Sequence, residues 1–330
     1  MSVLPDALRD FLGRLQVGGD LGGVRGRSTP ITEPIPANAR FLDGSFANEF
    51  GSRTYKLYVP STYQGHSMPL VVMLHGCTQS PDDFAAGTQM NKLAEEHGCL
   101  VVYPAQSSSA NISRCWNWFN AQDQHRDRGE PALIAGITRQ VMDDYAVDPQ
   151  RVFIAGLSAG GAAAAVMAAT YPDLYAAVGV HSGLAHGAAT DMPSALAAMR
   201  SGGTVAAQER RSGRLVPTIV FHGDQDSTVH PRNGDQVIAQ ARISGPAGLQ
   251  PTATVLRGQA PGGRSFSRTL HADPDGRSIL EQWVIHGAGH AWAGGSTAGS
   301  YTDPEGPDAG REMLRFFLAN PHPDVARSTH

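Results

Sequence analysis

The run Leu70-Val-Val-Met-Leu-His75 constrains this chain more than any other segment. An apolar stretch this short, without polar alternation, has no face to turn toward water. It therefore reads as a strand covered on both sides, as in a parallel sheet. Parallel neighbours cannot be joined by tight hairpins, so helices must separate the strands. The sequence supplies them. A helical pattern over residues 82–97 precedes a strand at 100–103, and a helix over 132–145 precedes a strand at 151–155. A helix over 159–170 and strands at 176–180 and 217–222 continue the alternation, followed by a helix over 232–241, strands near 252–256 and 278–284, and a closing helix over 308–318. Arg53 to Pro60 alternates with period two and adds a half-exposed strand that Pro60 ends. The expectation is a single α/β domain with a doubly wound, mostly parallel sheet, whose chemistry lies at the carboxyl ends of the strands.

Composition agrees with one large core. Of 330 residues, 41% are hydrophobic and 17% charged, which excludes a disordered chain or a coiled coil. The net charge of −4 and the lack of like-charge runs give no footprint for nucleic acid or an anionic membrane. A small or neutral substrate follows. Residues 152–172 carry no charge, yet a Gly-rich turn and many alanines make them a buried strand and helix rather than a membrane span. Residues 1–44 read as an N-terminal arm and Gly/Pro-rich linker, with an amphipathic segment carrying Leu4, Leu8, Phe11, Leu12 and Leu15 that could dock on the domain, a partner or a granule surface. The catalytic domain is expected over 45–320 and a tail over 321–330. The first twenty residues mix charges with apolar positions and do not read as a signal peptide, so the expected location is cytoplasmic.

The chemistry concentrates at Gly156-Leu-Ser-Ala-Gly-Gly161. This matches the G-x-S-x-G elbow, in which a strand turns sharply into a helix and one serine projects alone above the sheet. Ser158 is the candidate nucleophile. It needs a base and an orienting carboxylate, arriving in the chain order Ser, acid, His. The loop after the strand at 217–222 offers Asp224 and Asp226. Asp226 is the expected acid because it reaches further across, while Asp224 beside Gly223 is suited to holding the turn through backbone amides. His290, in Gly287-Ala-Gly-His-Ala-Trp-Ala, is the expected base; His286 is the near competitor but sits close to its strand. An oxyanion hole would use the amides of Ala159 and Cys77. Cys77 otherwise reads as a packed small residue, or as the partner of Cys115 in an oxidising compartment; three cysteines allow at most one bridge. Trp116 and Trp118, with Trp292 two residues past His290, are the candidate substrate wall, the plain alternative being a satellite hydrophobic cluster. There is no metal-ligand spacing, P-loop or dinucleotide fingerprint, so neither metal nor cofactor is expected.

Leu74-His-Gly-Cys-Thr-Gln79, Cys115-Trp-Asn-Trp-Phe119, Gly156–Gly161, His222-Gly-Asp-Gln-Asp226 and Gly289-His-Ala-Trp292, in this order, resemble the polyhydroxybutyrate depolymerase-like esterases. These are relatives of the feruloyl and acetylxylan esterases in the α/β-hydrolase superfamily, and the resemblance covers roughly residues 45–320. It implies the α/β-hydrolase fold and a Ser158–Asp226–His290 triad, with Cys77 and Ala159 as oxyanion donors and the Trp-rich segment near the cleft. It also implies an ester or polyester substrate, and an extracellular location as the alternative to a cytoplasmic one. A feruloyl, acetyl or short-chain esterase is the second reading; a non-catalytic binder on a hydrolase fold is the third.

Overall fold

A computed structural model describes residues 35–203, 214–245 and 251–323. The amphipathic segment over residues 4–15 and most of the expected tail lie outside the described residues. Strands β1 (Arg40–Asn48), β2 (Gly51–Val59), β3 (Met68–Leu74), β4 (Leu100–Pro104), β5 (Val147–Leu157), β6 (Ala177–His181) and β7 (Thr218–Gly223) join β8 (Thr252–Gln259), β9 (Ser265–Ala272) and β10 (Ser278–Ile285) in one sheet. The spatial order is β1-β2-β4-β3-β5-β6-β7-β10-β9-β8. From β4 to β10 every neighbouring pair is parallel, while β1, β2, β8 and β9 add antiparallel edges.

Side-chain alternation divides the core into two layers. Leu70, Val72, Leu74, Val152 and Ile154 face α3 (Gly129–Asp144), α4 (Ala159–Thr170), α5 (Met192–Ser201) and α6 (Arg232–Ser244). Val71, Met73, Phe153, Ala155 and Leu157 face α1 (Pro81–Thr88), α2 (Met90–His97) and α7 (Ala309–Leu318). Period two thus sends neighbours of one strand into opposite layers, which is why these strands read as unbroken apolar runs.

Several boundaries differ from expectation. The sheet begins at Arg40, inside the segment read as linker, because β1 pairs along its whole length with β2. Residues 82–97 form two helices rather than one. Gln89 adopts φ 54° between them, and the Gly87 carbonyl is taken by the Ser296 amide at 2.8 Å from a crossing loop. Helix α5 and strand β9 carry weak periodicity and are seen only in the structure. No helix among the described residues is long and apolar enough to cross a membrane.

Candidate active site

The elbow forms between β5 and α4. Ser158 sits at φ 57°, ψ −119°, a backbone state that costs about 1–3 kcal/mol and is held by its surroundings. Its amide donates to the His181 carbonyl at 2.9 Å and its carbonyl accepts from Ala162 at 2.9 Å. Small neighbours are obligatory. A Cβ on Gly160 would lie 2.1 Å from the Leu74 carbonyl oxygen, and one on Gly156 would lie 2.4 Å from Gly160. The N-terminus of α4 points at the serine, which favours negative charge there.

Asp226 and His290 come from two loops at the same sheet edge. The Gln225 amide donates to the Ala288 carbonyl at 3.0 Å, and the Asp224 amide to Ile285 at 3.1 Å, so the loops run as a clamped pair. His290 Nδ1 lies 2.7 Å from Asp226 Oδ2. Asp226 is buried, and its other oxygen accepts the amides of Thr228 and Val229 at 2.9 and 2.8 Å. Burial alone would raise its pKa, but the neighbouring imidazoles of His290 and His222 hold the carboxyl far below the usual range. A carboxylate fixed in this way makes Nδ1 the protonated nitrogen of a neutral His290 and leaves Nε2 as a base. Asp224 takes a different partner: it accepts the Gly287 amide at 2.7 Å and lies 2.9 Å from His286 Nδ1, while Ser267 Oγ meets His286 Nε2 at 2.9 Å.

The loop that follows β3 opens with His75-Gly-Cys77. The Gly76 amide is spent on Gln79 Oε1 at 2.9 Å. Among the described residues neither the Cys77 nor the Ala159 amide has a protein acceptor. Cys77 is bonded to Cys115 across a separation of 38 residues, joining this loop to the aromatic segment. His75 accepts the Gln106 amide on Nε2 at 3.1 Å and therefore donates from Nδ1 to the Gly76 carbonyl at 2.8 Å.

Two cavities meet at Ser158 and Cys77. The larger lies toward α5 and is walled in part by Trp118 and Phe119. The smaller reaches His290, Gln79 and Tyr301. Of the three candidate tryptophans only Trp118 faces this space. Trp116 is fully buried with its indole N–H on the His75 carbonyl at 3.1 Å. Trp292 is also fully buried, packed edge-on to Phe84 and stacked 5.1 Å from His181. Both are core residues that shape the loops from behind, a correction to the expected substrate wall. Among the described residues no cluster of three or more metal-ligating side chains occurs.

Sequence reasoning missed the carboxylate beneath the aromatic segment. Glu130 is buried at the start of α3, accepts the Asn117 amide and side chain at 2.7 and 2.8 Å, and is approached by Gln106 and by Arg53. Its spacing from Asn117 carries no motif. Burial, reinforced by Asp123, pushes its pKa up to about 7. Burial also pushes His75 down to about 4 and His181 down to about 3.

These groups make stability depend on pH with a definite sign. The folded pKa values of His75 and His181 lie below the unfolded value of about 6.5, so their contribution is present above it and is lost as pH falls. Glu130 acts oppositely: its raised pKa favours the folded state below about 4.5 and is lost as pH rises through about 7. Two histidines against one carboxyl leave one net proton from these groups between pH ~6.5 and ~4.5, a loss on the order of 1 kcal/mol per pH unit on acidification. Glu130→Gln removes the compensation and is expected to double this slope in urea titrations; parallel slopes in both proteins would contradict it. The disulfide offers a second measurement. Closing its loop of 38 residues is worth about 4 kcal/mol in the chain-entropy account. Cys115→Ser should lower the unfolding free energy by that order and reduce turnover as the Cys77 loop loosens. An unchanged denaturation midpoint would count against the bridge.

Comparison with known proteins agrees with this architecture. The family described as Esterase PHB depolymerase matches residues 53–250. Poly(3-hydroxyalkanoate) depolymerase C of Paucimonas lemoignei is 32% identical over 256 residues, covering 74% of this chain and 60% of that protein. The chain thus spans less than two thirds of that relative. Feruloyl esterase B of Thermothelomyces thermophilus is 29% identical over 250 residues, 71% of this chain and 82% of its own. In three dimensions, an acetyl xylan esterase from Aspergillus awamori superposes with a TM-score of 0.63 at 20% identity over 85% of this chain and 99% of that one, a likeness of fold. The match across most of the sheet and both halves of the elbow places the chain in the PHB depolymerase esterase family, on an α/β-hydrolase fold.

Proposed function

We propose that the protein is a serine carboxylic-ester hydrolase that cleaves poly(3-hydroxybutyrate) or its oligomers. The observation carrying this reading is the convergence of Ser158 and His290 on one cavity beside two uncommitted amides, with Asp226 fixing the imidazole. In the proposed mechanism His290 Nε2 takes the Ser158 hydroxyl proton as Oγ bonds to the ester carbonyl carbon. The Cys77 and Ala159 amides hold the oxyanion, and the imidazolium rests against Asp226. The tetrahedral adduct then expels the alkoxide, which His290 protonates. Water, activated by the same nitrogen, releases the acid from the acyl-enzyme.

Kinship with depolymerase C and the exposed Ile112, 72% accessible between two residues of the larger cavity's wall, support contact with a polymer or granule surface. The disulfide supports an oxidising, extracellular location over the cytoplasmic one. Kinship with feruloyl esterase B supports a second reading, a phenolic or short-chain esterase. Mass spectrometry of products released from amorphous poly(3-hydroxybutyrate), with the Ser158→Ala protein as blank, separates them. Hydroxybutyrate oligomers that depend on Ser158 are expected; no release by an enzyme whose serine still takes a fluorophosphonate would move the assignment to small esters.

A further inference from the structure

Two cavities meet at Ser158, and the proposed reaction orients a substrate between them. The proton for the leaving alcohol comes from His290, so the alcohol must depart on the His290 side, through the smaller space bordered by Gln79 and Tyr301. The acyl chain then points the other way. Among the described residues no charged side chain lines the cavity there. Its ceiling is α5, which contributes Met192, Leu196 and Met199, with Val229 opposite. Of the polar groups in the wall, the Asn111 side chain is already committed, accepting the amides of Ser113 and Cys115 and donating to Asn117 at 3.0 Å.

Helix α5 is held at both ends. Asp191 and Ser194 form a reciprocal cap at its start. Near its end the Met199 carbonyl accepts the His230 amide at 2.8 Å, and the Ala198 carbonyl accepts from Asn233 at 2.9 Å. The first of these bonds ties the helix to the loop that carries Asp226. The ceiling is thus a fixed wall, faced with unbranched and flexible methionines that can fit chains of differing shape.

We infer that α5 forms the acyl pocket of this enzyme and selects esters whose acyl part carries an aliphatic chain several carbons long, with Leu196 and Met199 setting the length. This inference rests on the serine-esterase reading. An acetyl group would forgo the apolar contacts offered by Met192, Leu196 and Met199. Each buried methylene, by contrast, raises kcat/KM by about fourfold until the pocket is full.

A series of p-nitrophenyl esters from acetate to octanoate tests this on the full chain. The wild type is expected to prefer the longer members over acetate by about a hundredfold or more. Leu196→Trp should abolish most of that gain, and Leu196→Ala should move the optimum to longer chains. Circular dichroism and the rate of fluorophosphonate labelling at Ser158 report whether each variant is folded and competent. A labelled wild type that favours acetate, or a profile that neither competent variant moves, overturns the pocket assignment alone. Absence of both labelling and turnover in the wild type overturns the esterase reading with it.

Discussion

Ser158→Ala is expected to lower kcat on any turned-over ester by about a millionfold while unfolding free energy changes by less than about 1 kcal/mol. The two effects separate because the backbone bonds of Ser158, to His181 and from Ala162, do not involve its hydroxyl. The elbow is kept by the close approach of Gly156 and Gly160 to their neighbours, which alanine at 158 leaves untouched. Ester assays on matched protein, with thermal denaturation alongside, check both halves. Turnover within tenfold of wild type would remove Ser158 from the chemistry.

The second large effect distinguishes the two aspartates. Asp226→Asn should reduce kcat by about ten-thousandfold. An amide at Oδ2 can present its NH2 to His290, which favours the tautomer with hydrogen on Nε2 and removes the base. Asp224→Asn should cost no more than about tenfold, the scale of one lost charge-assisted bond. Asp224 faces His286 and the Gly287 amide and reaches His290 only through the geometry of the clamped loops. The reversed order of severity would make Asp224 the acid. Equal losses in both variants would assign the effect to loop position instead of protonation.

The pattern of strands and helices was legible because a strand buried on both faces leaves an apolar run with no competing period, as in Leu70–Leu74 and Val152–Leu157. The elbow was legible because its chemistry is local: the strand, the small residues, the serine and the helix are contiguous. The sequence order of acid and base narrowed the candidates to residues in two loops. Helix α5 and strand β9 were not visible, since half-exposed elements with mixed composition owe their conformation to what they pack on.

Pairing was another matter. That Asp226 and His290 meet across 64 positions, that Asp224 is claimed by His286, and that Glu130 lies beneath Asn117 are properties of loops brought together by the sheet. The same holds for the tryptophans, where one-dimensional clustering put Trp116, Trp118 and Trp292 on one wall. The sheet turned Trp118 to the cavity and buried the other two. By itself, then, the sequence determined the layered α/β fold, the tight strand-to-helix turn at Ser158 and the family, because each is written in contiguous or periodic residues. The tertiary structure alone decided which carboxylate serves which imidazole and which aromatic borders the cavity beside Ser158. These depend on distances between segments that no local pattern encodes.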